Sequence, residues 1–351
     1  MLKILYIDAL CPIGHKVFNS LTISALSSLN AKITTIALSR CMPSDKCITY
    51  HVPDKYLVHK KLGRFSKITY RINEIRKFGW ILNLVRQENP DLVVLSSFET
   101  ITLSIVSRRF RVPVLAFNHN NIDELESCFK KLFFRRMGRN VNYVVFEEYM
   151  VDYLKGVIGV TNDVISLPHI VEAVVPLDVP NNSFDNDYFC IFAPSSSNNM
   201  SLIEDLLRRK EGLAAHKIQL VAKFREKKDF DSVVLRRRFS NEEYLSYMNS
   251  CSAVYVPLSR GFNYRVSNVV NEAIAYNKRV IITRNRYSDF LLENYPSLVF
   301  IVSEDLFDEK AQMIQWLRCE DRRYEEDRAR FILDHSAEEF VKRVKKFVDS
   351  L

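Results

Sequence analysis

The run Leu92-Val93-Val94-Leu95 admits few folds, because all four side chains are apolar and a strand sends alternate ones to opposite faces. A strand apolar on both faces needs cover on both, as in a parallel sheet with helices on either side. Pro90-Asp91 leads into this run from residues 65–88, which have helical spacing. Ile68, Ile72, Ile75, Ile81, Leu82 and Val85 are the stripe expected to be buried. The same order surrounds it. Ile4 to Ile7 reads as a first strand, Gly14 falls in the loop after it, and Val17 to Leu29 is helical. Ile33 to Leu38, Val112 to Phe117 and Val141 to Phe146 are further strands. Strand and helix alternating in this way predict a doubly wound α/β domain.

The pattern stops at residues 173–187, where Pro176, Pro180, Asn181, Asn182, Asp185 and Asp187 make a polar, turn-rich link, and then it restarts. Strands are expected at Tyr188 to Phe192, Ile218 to Ala222, Ala253 to Leu258, Arg279 to Thr283 and Leu298 to Val302. Helices are expected at Met200 to Arg209, Asn241 to Asn249 and Asn268 to Tyr276. Ser240 and Glu243 have the spacing of a capping box. Residues 336–351 form an amphipathic helix with Phe340, Val344, Phe347 and Val348 on one face. The expected organisation is a domain over 1–172, a linker over 173–187, a second domain over 188–335, and a helix over 336–351 packing back on the first domain. A chain of 351 residues is too long for one ordinary core, which agrees with this division.

Hydrophobic residues make up 47% of the chain and charged ones 26%, a globular balance that excludes disorder. The seven cysteines are odd in number and form no CxxC pair, so they read as reduced thiols, not as a disulfide frame or zinc site. Asp185-Asn186-Asp187 has the form of a metal-binding DxD, but its place in the link reads as a solvated turn. The start Leu2-Lys3-Ile4-Leu5-Tyr6-Ile7 is strand-like, without the features of a signal peptide, and no apolar stretch is long enough to span a membrane. A cytoplasmic protein is expected, with peripheral contact at the inner face of the membrane left open. The net charge of +8 suits an anionic partner, though it also suits simple solubility. No basic stripe or nucleic-acid module accompanies it, so a nucleic-acid partner is not expected. No GxGxxG follows a strand, which argues against a dinucleotide oxidoreductase.

Chemistry concentrates in residues 253–284. A strand leaves the sheet there, a loop carries Arg260, Gly261, Tyr264 and Arg265, and a helix begins near Ser267 and Asn268. Free backbone N–H groups and the helix dipole make such a start an anion site. Two arginines beside it fit a diphosphate, and Ser267 is expected to cap the helix. Glu272, just over one turn in, is placed to accept two hydrogen bonds from a ribose diol.

This stretch resembles the donor signature of family-4-type GT-B glycosyltransferases, in which a loop enters a helix ending in Glu-Ala before a Gly-Lys-Pro-Val-Ile-like strand. Glu272-Ala273 and Lys278-Arg279-Val280-Ile281-Ile282 keep that register. So do the segments around Asn241 to Leu245 and Cys251 to Leu258, Pro12-Ile13-Gly14-His15, Glu147-Glu148-Tyr149-Met150 and Ile165-Ser166-Leu167-Pro168-His169. The resemblance runs in order along nearly the whole chain. It departs at Tyr264, where the family has a second glutamate, at Ser267, where it has a glycine, and at Pro194 to Asn199, where it has an Arg and a Lys.

The resemblance implies a GT-B architecture: two Rossmann-like doubly wound parallel-sheet domains facing a cleft, the first holding the acceptor and the second the nucleotide sugar. It implies transfer of a sugar from a nucleoside-diphosphate sugar to an acceptor hydroxyl on a glycan or lipid-linked oligosaccharide, in surface polysaccharide or glycoconjugate synthesis, with retention. It implies neither a cofactor nor a metal. Carried over by residue, His119, His15 and Arg265 are the candidates at the reacting sugar. Glu272, Ser267, Asn268, Tyr264, Arg260, Lys223, Ser195 and Gly14 are the donor-binding candidates, with Arg225 a further cation that could replace the absent pair. Glu99 lies at a strand's carboxyl edge, and His169 reads as structural. Phe129 to Arg136 mixes aromatics with bases, which fits either an anionic membrane surface or a packed helix with a solvated face. The alternative reading of the whole is a catalytically impaired GT-B-like protein that binds nucleotide, glycan or a partner enzyme.

Overall fold

The computed structural model describes residues 1–10, 15–38, 47–56, 66–174, 188–195, 197–259, 261–303, 306, 309–319 and 321–351, with the side chains of 66 and 67 left aside. Gly14, Arg260 and Asp185-Asn186-Asp187 lie outside the described residues, as does most of the expected linker. The described residues form two compact units, Met1–Ile170 with His335–Leu351, and Val171–Asp334.

The first unit runs β1 (Leu2–Asp8), α1 (Lys16–Ser27), β2 (Ala31–Ala37), β3 (Ile48–His51), α2 (Ser66–Glu88), β4 (Leu92–Leu95) and α3 (Thr100–Val106). It continues with β5 (Val114–Phe117), α4 (Cys128–Arg135), β6 (Val141–Val145), α5 (Glu148–Asp152), which passes into a π turn at Tyr153–Ile158, and β7 (Val164–Ser166). Its strands lie in the order β3-β2-β1-β4-β5-β6-β7, every neighbouring pair parallel. Leu92, Val93, Val94 and Leu95 are all fully buried, as a central strand covered on both faces requires. The chain ends in α13 (Ala337–Val348), numbered after the helices of the second unit. Its Phe340 ring stacks on Phe117 with centroids 6.4 Å apart.

The second unit runs β8 (Phe189–Ala193), α6 (Met200–Arg208), α7 (Lys210–Ala215), β9 (Ile218–Lys223), β10 (Lys228–Phe230), β11 (Val233–Arg236), α8 (Asn241–Ser250) and β12 (Ala253–Val256). After these come α9 (Asn268–Ala275), β13 (Arg279–Thr283), α10 (Arg286–Asn294), β14 (Val299–Val302), α11 (Lys310–Arg318) and α12 (Arg322–Asp334). The order is β10-β11-β9-β8-β12-β13-β14, and only the β10–β11 pair is antiparallel.

Each sheet reverses its strand order once, between β1 and β4 in the first and between β8 and β12 in the second. In open α/β sheets, ligands bind outside the carboxyl ends of strands at such a switch point. Among the described residues, no helix is long and apolar enough to cross a membrane.

Two local expectations need correction. The buried stripe of α2 begins later than its isoleucines suggest: Ile68 and Ile72 are 59% and 45% exposed, and Glu74, Lys77 and Phe78 are buried with Ile81, Leu82 and Val85. Ser267 stands at the start of α9, but its side chain makes no capping hydrogen bond. The capping box of Ser240 and Glu243 does form at α8.

Candidate active site

In the first unit, a buried polar network lies under the switch point. Asp8, the last residue of β1, accepts from Asn19 Nδ2 at 2.5 Å through Oδ2 and from Ser97 Oγ at 2.5 Å through Oδ1. Asn19 Oδ1 accepts in turn from Tyr6 Oη at 2.7 Å and from Ser96 Oγ at 2.6 Å. The network therefore joins β1, α1 and the residues after β4. Buried polar groups fully paired in this way fix one arrangement, because breaking any member leaves another unsatisfied.

Lys77 reaches the same edge from α2, donating to the Ala9 carbonyl at 2.9 Å and to Glu74 Oε1 at 2.7 Å. It holds the start of the loop that leads to His15. The sequence reading missed Asp8, Asn19, Glu74 and Lys77. The available signal was a charged pair at i, i+3 in register with Phe78, Ile81 and Val85.

The structure brings His15 and His119 together, with ring centroids 4.4 Å apart. His15 Nδ1 is 4.0 Å from Asp8 Oδ2. His119 meets the Phe18 ring edge-on at 4.8 Å, and His169 packs beside Phe18 and Phe146 at 5.1 and 5.3 Å. Burial lowers the pKa of His15 against the opposing pull of Asp8. Burial, with His15 and His169 close by, holds His119 well below the usual histidine range. Burial and the neighbouring His335 bring His169 down to about 4. All three imidazoles are thus neutral at neutral pH. The shielded His119 Nε2 and His15 Nδ1 have no hydrogen-bond partner among the described residues. Glu99 is occupied otherwise: it caps α3, accepting from Thr102 N and Oγ1, both at 2.7 Å.

In the second unit, the loops at the switch point are tied down one by one. Asn199 N donates to the Pro257 carbonyl at 2.6 Å, and Asn198 Nδ2 to the Ala193 carbonyl at 3.0 Å. Ser195 is buried, and its Oγ accepts from Ser197 N at 3.0 Å. Beyond β12, Thr283 Oγ1 donates to the Leu258 carbonyl at 2.8 Å, and Asn263 Oδ1 accepts from Arg286 N at 3.2 Å. Phe262 is buried, and the Arg265 guanidinium lies 4.2 Å over its ring. These contacts present Arg265 and the half-buried Tyr264 just before α9.

Glu272 is held by two donors. Oε1 accepts from Asn268 Nδ2 at 2.7 Å, and Oε2 accepts from the Tyr244 hydroxyl. Burial raises the Glu272 pKa, and the two hydrogen bonds pull it back. Each carboxylate oxygen retains a lone pair for a further donor. Lys223 ends β9 and is half-buried, whereas Arg225 is an exposed residue paired with Glu204 at 3.4 Å. The predicted donor residues Ser195, Lys223, Tyr264, Arg265, Ser267, Asn268 and Glu272 therefore lie at or beyond the carboxyl ends of β8, β9 and β12. Tyr244, from α8, was not foreseen.

Two successive α/β units with parallel-dominated seven-stranded sheets, and a final helix returned to the first, make this a GT-B fold. Solved structures agree with that architecture. The chain is similar to sucrose-phosphate synthase from Thermosynechococcus elongatus at TM-score 0.72 and 13% identity, covering 100% of this chain and 99% of that one. It is similar to a glycosyltransferase from Rickettsia africae ESF-5 at TM-score 0.67 and 12% identity, with coverage of 99% and 98%. WaaG, a glycosyltransferase involved in lipopolysaccharide biosynthesis, is similar at TM-score 0.60 and 11% identity, again covering 99% and 98%. No family model matches the chain, and no curated protein matches it in sequence.

Proposed function

We propose that this protein is a glycosyltransferase that moves a sugar from a nucleoside-diphosphate sugar to an acceptor hydroxyl on a glycan or lipid-linked saccharide. The observation that carries the reading is Glu272: a carboxylate one turn into α9, at the switch point of the second sheet, fixed by Tyr244 and Asn268. Its two oxygens suit the vicinal hydroxyls of a ribose. The N-terminal N–H groups of α9, with Arg265 beside them, suit the diphosphate. Lys223 adds a further cation at the same sheet edge.

In the reaction, the bond from the anomeric carbon to the diphosphate oxygen breaks and the acceptor oxygen bonds to that carbon. The acceptor hydroxyl's proton passes to the departing diphosphate. Stabilising the charge on the departing diphosphate is the largest electrostatic demand, and cations and backbone donors meet it. The neutral rings of His15 and His119 lie side by side at the switch point of the first sheet, where the resemblance puts a histidine near the reacting sugar. Retention, synthesis of a surface glycan and independence from metal are supported by the resemblance in sequence.

The test is calorimetric binding of UDP, GDP, ADP, dTDP and CMP to the wild-type protein and to Glu272→Ala. One nucleotide should bind, and Glu272→Ala should weaken it at least about tenfold, the loss of a bidentate charged contact. Activated sugars of that base then test transfer. Binding without transfer to any acceptor would favour a non-catalytic binder. No binding by the folded protein would overturn the proposal.

A further inference from the structure

At the edge of the first sheet opposite the switch point, a groove of about 650 Å³ is lined by Arg108, Arg111, Arg135, Arg136 and Arg139. These residues lie in the segments that enter β5 and β6, at their amino ends. All five side chains are exposed, and none forms an ion pair among the described residues. The groove lining contains no acidic residue. Five unneutralised guanidinium groups facing one space repel each other and attract anions.

The frame that carries them is tightly built. Asn140 Nδ2 points to the carbonyls of Ser107, Phe110 and Val112 at 3.2–3.4 Å, which holds the turn bearing Arg108 and Arg111. Asn162 Nδ2 donates to the carbonyls of Gly138 and Val141 at 2.7 and 2.9 Å, fixing the turn that bears Arg139. Large apolar side chains face solvent on α4, which ends at Arg135, and on the π turn just before Gly159, whose Cβ position is 3.8 Å from Arg135 Nη2. Phe129 is 54% exposed, Leu132 44% and Val157 64%. Leu132 precedes Arg135 and Arg136 by three and four positions, so all three share one side of the turn. An apolar rim beside clustered cations matches the headgroup boundary of an anionic bilayer, where charge attraction and shallow apolar insertion act together.

We propose that this edge of the first unit docks on an anionic phospholipid surface, with the five arginines on the headgroup phosphates and Phe129, Leu132 and Val157 inserted beside them. The site lies at the opposite sheet edge from the histidine cluster and does not rest on the transferase reading. It extends the mixed aromatic and basic segment seen in the sequence to Arg108, Arg111 and Arg139, which the fold brings to it.

The experiment is partition onto vesicles of phosphatidylglycerol mixed with phosphatidylcholine, and onto vesicles of phosphatidylcholine alone, with no donor or acceptor present. Wild type should bind the anionic vesicles only, and should be released at about 1 M salt, where the screening length falls to ~3 Å. R135Q/R136Q/R139Q should bind on the order of 100-fold more weakly, since each lysine or arginine near such a surface contributes about fivefold. F129S/L132S should also bind more weakly, and circular dichroism should show both variants folded. Failure of wild type to bind, or equal binding by the arginine variant, would overturn the proposal. So would a result in which inorganic pyrophosphate raises the melting temperature of wild type but not of the arginine variant while vesicles bind neither; that would assign the groove to a soluble phosphate.

Discussion

Lys77 and Glu74 form an ion pair in the interior of the first unit, Nζ to Oε1 at 2.7 Å, and the same ammonium holds the Ala9 carbonyl beyond β1. Burial pushes the Glu74 carboxyl up and the Lys77 ammonium down, each against the attraction of the other. Removing one partner leaves a buried charge without compensation. Lys77→Met should therefore cost about 3–5 kcal/mol in urea unfolding, whereas Lys77→Met with Glu74→Leu should recover most of that loss. Equal losses in the single and double variants would show that no stranded charge is involved.

The same pair shows where the sequence was legible and where it was not. Leu92 to Leu95 could be placed because an unbroken apolar run has one suitable environment, the middle of a covered sheet. Ser240 with Glu243 could be placed because a capping box depends only on local spacing. Ile68 and Ile72 were misplaced because helical periodicity identifies a stripe without showing what the helix lies against. Here the buried stripe runs through Glu74 and Lys77, charged residues that enter the interior only because they pair with each other and with Ala9. The short strands β3, β7, β10 and β11 escaped notice for a related reason. Lys228-Asp229-Phe230 is exposed throughout and pairs only with β11, so tertiary pairing, not hydrophobic pattern, makes it a strand. In the candidate site, the placement of Glu272 in α9 and of Arg265 just before it was legible through register with a known signature. Tyr244 and Asp8 were not, since their partners are distant in sequence and meet only in the fold.

His169 makes stability depend on pH. Its pKa falls from an unfolded value near 6.5 to about 4, so between these limits the unfolded chain binds a proton that the folded protein does not. The contribution is complete above about pH 6.5 and is lost as pH falls, at roughly 1.4 kcal/mol per unit. Urea unfolding near pH 7.5 and near pH 5 should show wild type losing about 2 kcal/mol through this residue. In His169→Asn the loss between those two conditions should shrink by that amount. An unchanged acid slope would mean that His169 is accessible to protons in the folded state.

Gly138 sits where the two turns of the arginine groove meet. Its N–H donates to Ser107 Oγ at 2.8 Å. A Cβ here would lie 2.6 Å from Asn140 Oδ1 and 3.2 Å from Arg108 N. Asn140 has little freedom to move, because its amide holds three carbonyls of the neighbouring turn. Gly138→Ala should destabilise the protein by about 1–3 kcal/mol, the usual cost of overpacking. Gly156→Ala is the control, since nothing lies within 4 Å of its Cβ position. Similar thermal shifts for the two variants would contradict the steric argument.

Tyr244 sets the proton affinity of Glu272. Its hydroxyl donates to the carboxylate and so favours the ionised form, against the burial that favours the neutral one. Tyr244→Phe removes that donor and leaves Asn268 as the remaining one described here. The Glu272 pKa should then rise further. If Glu272 holds the ribose as proposed, only the ionised carboxylate can accept from both hydroxyls, and nucleotide binding needs the proton absent. As pH falls, binding should weaken in both proteins, and the Tyr244→Phe curve should turn down at higher pH. The two curves should converge above it, apart from a loss of severalfold, the usual value of one hydrogen bond to a charged group. Calorimetric titration of the nucleotide identified in the binding panel, over about pH 5 to 8, reads this directly. Parallel curves separated by a constant factor at every pH would mean that Tyr244 serves the site by shape alone and does not tune its charge.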